Sequence, residues 1–231
     1  MKIGCFSDAH ICAGDPPEKD ARLCDTLSLL LALGITVVSV GDFLEMYKRR
    51  GGRRRHFKKI MQAYPLTFDL IYRNWERFVF INGNHDDGCL VMIPRVHPLD
   101  YYNADGYQFF HGHQADIHFA HRTMEKISER LIKAVFRVEA WFSWMTRFKV
   151  SEWFADRQNR SPAGVEALAE YGRQTLHRGT NWLDGVIVGH THIRDFRRYT
   201  NGQSYLNVGT YRAGDVFVLD TDTGNMEMVM A

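Results

Sequence analysis

Apolar residues along this 231-residue chain follow two rhythms, short runs with the period of a strand and longer stretches with that of a helix. The opening "MKIGCFS" is a short apolar strand. A helix is predicted over Glu18 to Leu33, because Leu23, Leu27, Leu30 and Leu31 share one face and Gly34 stops it. "ITVVSV" is β-branched without alternation, so it reads as a strand covered on both faces. A second helix is expected from Arg54 to about Tyr64, where Pro65 interrupts it. "RFVFI" reads as the third strand and "GYQFF" as the fourth.

From His118 to Phe148 the pattern becomes helical, with Met124, Ile127, Leu131, Val135, Val138, Phe142 and Met145 at steps of three or four. "SPAG" at 161–164 supplies an N-cap Ser and a Pro at the first position of a helix ending near Gly179. "DGVIVG" is a further strand, and "SYLNVGTY", "AGDVFVLD" and "MEMVM" read as closing antiparallel strands. No internal repeat or low-complexity linker divides the chain. The expectation is an α/β fold forming a single domain over 1–231, with a helical lid insertion at 118–160.

Composition changes this picture little. A hydrophobic content of 45% suffices for a sizeable core, and a formal charge of +2 points to no partner globally. Cys5, Cys12, Cys24 and Cys89 show no C-x-x-C spacing and no disulfide framework, which fits reduced thiols and a cytoplasmic location. The longest uncharged stretch, "TLSLLLALGITVVSVG", falls short of the roughly 20 apolar residues of a membrane span and is divided by Gly34. No signal peptide is read at the start, and peripheral membrane contact stays open.

The chemistry sits at strand ends. "NGNHDDG", taken alone, suits a polar turn, since Asn, Asp and Gly all tolerate tight-turn angles. The other strands end the same way, however. "SDAH" places Asp8 and His10 after the first strand, and "GDFLE" places Asp42 and Glu45 after the second. "GNHD" places Asn84, His85 and Asp86 after the third, "HGH" places His111 and His113 after the fourth, and "GHTH" places His190 and His192 after a late one. Ligands of α/β sheets bind just beyond the carboxyl ends of strands, so five clusters of carboxylate, amide and imidazole converge on one rim. Oxygen and nitrogen donors without thiolate suit Mn, Fe or Zn better than a sulfur-ligated structural site.

In its ordered motifs "SDAH", "GDFLE", "GNHD", "HGH" and "GHTH", the chain resembles the calcineurin-like metallophosphoesterase superfamily over nearly its whole length. The resemblance implies a β-sandwich flanked by helices, with two divalent metal ions at one end, Mn first and Fe or Zn as alternatives. It implies that Asp8, His10 and His192 hold one metal, that Asn84, His111 and His190 hold the other, and that Asp42 bridges both. The implied reaction is hydrolysis of a phosphodiester or diphosphate bond by a metal-bridging hydroxide, with cations about 3.5–4 Å apart clamping the phosphoryl oxygens. His85 is implied beside the leaving group as general acid or electrostatic stabiliser, with Glu45 standing where related protein phosphatases pair an Asp with this His. His113, His118 and His121 match no zinc spacing and read as surface or supporting residues, His113 being the one nearest the metals.

Two features bear on substrate. "KRRGGRRRHFKK", 48–59, includes Arg53, Arg54 and Arg55 and reads either as a solvated loop or as an attractor of phosphorylated small molecules, nucleic-acid backbone or an anionic membrane. The insertion carries Trp141 and Trp144 among aromatics on more than one stripe, leaving apolar area for a ligand, a lipid or a partner subunit. Basic rim and aromatic lid together resemble the UDP-diacylglucosamine pyrophosphatases of lipid A synthesis, a family that usually carries Arg where this chain has His85. A nucleic-acid or nucleotide phosphodiesterase is the other reading. A protein phosphatase fits less well, because Met46 stands where those enzymes continue "GD-x-V-D-R-G" with Arg.

Overall fold

Strand alternation sends one set of side chains to each face, and here both faces are apolar. In β1 (Lys2–Phe6), Ile3 and Cys5 point one way while Phe6 points the other into a separate cluster. The same division recurs in β2 (Thr36–Ser39), where Val37 and Val38 join opposite clusters. A sheet with two apolar faces must be covered twice. The computed structural model, which describes residues 1–47, 52–115, 161–178, 183–211 and 215–230, supplies that cover as a second sheet on one side and helices on the other.

The first sheet runs β10-β9-β1-β2-β3, with β3 at Phe78–Phe80, β9 at Asp215–Asp220 and β10 at Asn225–Met230. Its three central pairings are β1 and β2 in parallel, β2 and β3 in parallel, and β1 against β9 antiparallel. The second sheet runs β4-β5-β6-β8-β7, comprising Tyr101–Ala104, Tyr107–Phe110, Gly185–Val188, Ser204–Asn207 and, for β7, Asp195–Arg198. Here β5, β6 and β8 are mutually parallel. Ile3, Val38, Ile81, Phe109, Ile187 and Leu206 fill the space between the sheets.

Helices α1 (Pro17–Ala32), α2 (Arg53–Ala63) and α3 (Pro65–Arg73) cover the outer face of the first sheet through Leu27, Leu30, Phe57, Ile60 and Phe68. Helix α4 (Pro162–Arg178) covers the second sheet through Leu168, Ala169 and Leu176. The α/β sandwich flanked by helices is therefore as the sequence led us to expect. The Ser161 hydroxyl accepts from Gly164 N at 3.1 Å, the cap expected there.

Helix α2 ends just before Pro65, as expected, and Pro65 itself opens α3, where its missing N–H costs nothing. Strands β4 and β7 lie at sheet edges with alternating exposure, so their polar sequences offer no apolar run to detect. Strand β8 is antiparallel to β7 but parallel to β6, so the closing strands are not all antiparallel. The lid expected at 118–160, with Trp141, Trp144, His118 and His121, lies outside the described residues, as do 48–51 of the basic run. No helix among the described residues is long and apolar enough to cross a membrane, and the four cysteines form no disulfide.

Candidate metal centre

Parallel strands end together, so the residues following β1, β2 and β3 meet at one edge of the first sheet, and those following β5 and β6 meet opposite them. Backbone bonds then lace the loops: Asp8 N–H donates to Gly41 O (3.1 Å), His10 N–H to Asp42 O (3.0 Å), and Met46 N–H to His85 O (3.0 Å). Within the second sheet, just beyond the paired ends of β5 and β6, Gly189 N–H donates to His111 O at 3.0 Å. The backbone bends hard to present the side chains. Asp8, His10, Asp42, His190 and His192 all have positive φ, between 45° and 76°, a region that non-glycine residues enter only when the surroundings enforce it. Close approach also explains two glycines, since a side chain at Gly83 would run into the Asp42 carboxylate and one at Gly41 into the His111 ring.

The sequence-predicted residues converge. Three groups have ligand atoms within 4.8 Å of one another: Asp8, His10 and His192; Asp42, His111 and His190; and His10, Asp42 and His85. Asp42 belongs to the second and third groups, and so lies between His10 and His111. In the first group His192 Nε2 stands 3.1 Å from Asp8 Oδ1 and 3.2 Å from His10 Nε2. In the second, His111 Nε2 is 3.1 Å from Asp42 Oδ2 and 3.2 Å from Asn84 Oδ1. His111 Nδ1–H donates to Val40 O at 2.9 Å, which fixes the ring and leaves Nε2 facing inward. His113 belongs to none of these groups among the described residues, although its ring centroid is 5.6 Å from that of His111.

The two Asp42 oxygens face different neighbours: Oδ1 accepts His85 N–H at 2.7 Å, and Oδ2 faces His111 Nε2 at 3.1 Å. Asp8 is held likewise: Oδ2 accepts His190 N–H at 3.0 Å and the Ser7 hydroxyl, while buried Oδ1, 3.1 Å from His192 Nε2, makes no hydrogen bond among the described residues.

The electrostatics call for positive charge. Burial pushes the Asp42 carboxyl up, but His111, His85 and His10 around it outweigh that and hold it well below the usual carboxylate range. Burial acts against Asp8 too, yet His192 and His111 bring it to about 2. His111 is the mirror image: burial disfavours its imidazolium, while Asp42 and Asp8 push it up to about 10. Buried carboxylates this dependent on neighbouring cations, an orphaned Asp8 oxygen and inward-facing imidazole nitrogens are a donor set that divalent ions fit.

Two residues gain no role from sequence. Asp86 is fully buried and accepts three backbone N–H groups, from Gly83 (2.8 Å), Leu44 (2.7 Å) and Asp42 (3.0 Å), tying the loop of Asn84 and His85 to that of Asp42. Burial and the adjacent Asp42 push it up to about 7, against the Leu44 and Gly83 N–H donors and His111. Its place in "GNHD" is the available signal. Tyr47 packs its ring 4.4 Å from that of His85, and no sequence pattern marks it.

His85 Nδ1 lies 3.2 Å from Glu45 Oε1. Burial alone would lower the His85 pKa, but Glu45 and Asp42 raise it above its ordinary value. Of the basic run, Arg54 and Arg55 are exposed in the first turn of α2, whereas Arg53 also pairs with Asp87 through two bonds, both distances being 2.9 Å.

No protein-family model matches the chain, and no curated protein emerges as a relative. Among solved structures it is similar to a dimetal phosphatase from Danio rerio, at 10% identity over 94% of this chain and 91% of that one, with a TM-score of 0.52. Weaker likenesses are a conserved uncharacterized protein of Streptococcus pneumoniae TIGR4 described as a predicted phosphoesterase (14% identity, 99% and 97% covered, TM-score 0.41) and zinc-complexed Vps29 of Entamoeba histolytica (16%, 99% and 97%, 0.41). At such identities the first likeness is one of fold, and it agrees with a metallophosphoesterase sandwich.

Proposed function

We propose that the chain is a metal-dependent phosphoesterase hydrolysing a phosphodiester or diphosphate bond. The reading rests on one observation above all: Asp42 stands between two sets of ligand atoms, and His85 lies within reach of the same carboxylate. Asp8, His10 and His192 would hold one divalent ion, Asn84, His111 and His190 the other, with Asp42 shared. The thiolate-free donor set favours Mn, with Fe or Zn as alternatives. Bound ions would polarise the phosphoryl oxygens and make a water acidic enough to attack near neutral pH.

The protein's own residues supply the remainder. Glu45 occupies the Nδ1 side of His85, so the opposite nitrogen is the one presented to a leaving group. The raised His85 pKa keeps that nitrogen protonated to higher pH, as an acid requires. Neutral Asn84 adds a donor oxygen without adding negative charge, which favours an anionic substrate.

For the substrate itself, basic rim and aromatic insertion favour a lipid-linked diphosphate of the UDP-diacylglucosamine type. A second reading, a nucleic-acid or nucleotide phosphodiester, is supported by exposed Arg54, Arg55, Lys58 and Lys59 on α2, whose first turn is anchored to Asp87 beside the site. The deciding assay supplies Mn²⁺ to the purified protein with chromogenic phosphate monoesters and diesters. We expect diester hydrolysis that a chelator abolishes. Absence of turnover on both classes after loading with Mn, Fe or Zn would contradict the proposal.

A further inference from the structure

Glu45 sits between two histidines. Its Oε1 faces His85 Nδ1 at 3.2 Å, and its Oε2 stands 3.6 Å from His10 Nδ1. The two rings meet edge to face, their centroids 4.6 Å apart at 78°. His10 turns Nε2 toward His192 Nε2 (3.2 Å) and Asp8 Oδ1 (3.7 Å), so Nε2 is its ligand atom and Nδ1 points away. That Nδ1 is buried and, among the described residues, has no hydrogen bond. An imidazole offering Nε2 to a cation carries its proton on Nδ1, and a buried N–H needs an acceptor.

We infer that Glu45 is a positioning residue for both histidines at once, one oxygen orienting His85 and the other orienting His10 toward the metal position it shares with Asp8 and His192. The inference rests on the metal-site reading above and extends it, because it couples occupancy of one metal position to the placement of the acid. Only a modest closure, from 3.6 Å to the ordinary distance of about 2.9 Å, completes the second bond. The carboxylate is well fixed for this purpose. Glu45 N–H donates to Ile11 O at 3.0 Å, its carbonyl accepts His56 Nε2 at 3.2 Å, and Oε1 accepts Tyr47 N–H at 3.1 Å. With 3% of its surface exposed, water cannot readily replace it.

The test reads metal binding, which needs no turnover. Zn²⁺ is titrated against a chelating dye for the wild type, Glu45→Met and His85→Ala. Met fills the space of Glu45 but accepts from neither ring. We expect Glu45→Met to weaken one ion by about 10–100-fold, the usual cost of losing an outer partner of a ligand, and to leave the other unchanged. His85→Ala should keep both. Equal affinities in Glu45→Met and His85→Ala would overturn the inference, because Glu45 would then act through His85 alone. Should Glu45→Met not fold, ¹⁵N spectra of the histidine side chains in the zinc-loaded wild type decide. A proton on His10 Nδ1 with Nε2 bound to metal supports the inference, and the opposite tautomer overturns it. A protein that binds both ions yet hydrolyses no phosphoester would defeat the proposed activity and leave this inference standing.

Discussion

The two halves of the site are built differently. Asp42 and His111 are interior: side-chain exposure is 2% for Asp42 and 0% for His111. His111 is aimed by a backbone carbonyl just past β2, and Asp42 by the backbone N–H of His85. Around His10 and His192, exposure rises to 17% and 16%. There His10 lies against a side chain, Glu45. A ligand aimed by the backbone is fixed by the fold itself, whereas one aimed by a carboxylate depends on a single residue. The inner half should therefore be the more rigid and the outer half the one that substrate and substitutions reach.

The largest expected effect lies on the outer side. His85→Asn should lower turnover by about 10²–10⁴, the usual contribution of an acid catalyst, while metal content stays near wild type. Full turnover on a substrate with a poor leaving group would end the acid role. The next effect contrasts the halves directly. In metal-free protein, His111→Ala leaves the buried Asp42 short of its closest cation, a change that costs on the order of 3–5 kcal/mol. His192→Ala, at a partly exposed position, should cost much less. Thermal or urea unfolding compares them, and equal losses would erase the distinction.

Much of this site is legible in the sequence because its residues follow strands directly. Strand-end clusters are short in sequence, so Asp8, His10, Asn84, His85, His190 and His192 stand out beside the apolar runs that carry them. What stays hidden depends on how the loops meet. Asp86 reads as one more acid until its three backbone donors are seen. The approach of Glu45 to His10 joins positions 35 residues apart (45 minus 10) that no periodicity relates. Strands β4 and β7 escape detection for a similar reason, since an edge strand with a wet face carries no continuous apolar signal.

A smaller effect concerns pH. Glu45 raises the His85 pKa, so the protonated acid persists above its ordinary range and the rate should fall as pH rises through the raised value. Glu45→Gln removes the charge, which lowers that pKa and moves the alkaline limb of the rate profile to lower pH. An unmoved limb would mean that Glu45 does not tune His85. The smallest change is expected at the rim. Neutralising Arg54 and Arg55 should leave hydrolysis of a small chromogenic diester unaltered. If nucleic acid is the substrate, it should flatten the salt dependence of oligonucleotide binding by about one log–log unit for each phosphate that is no longer neutralised. If a lipid-linked diphosphate is the substrate, Trp141→Ala and Trp144→Ala should instead raise KM for the acylated compound.

A dinuclear centre requires Asp42 to join the two halves, and metal analysis of Asp42→Ala tests that most directly. Wild-type protein loaded with Mn²⁺ should carry two ions per chain, and Asp42→Ala should lose most of both while its circular dichroism still reports a folded α/β protein. One tightly held ion, retained unchanged in Asp42→Ala, would contradict the shared centre.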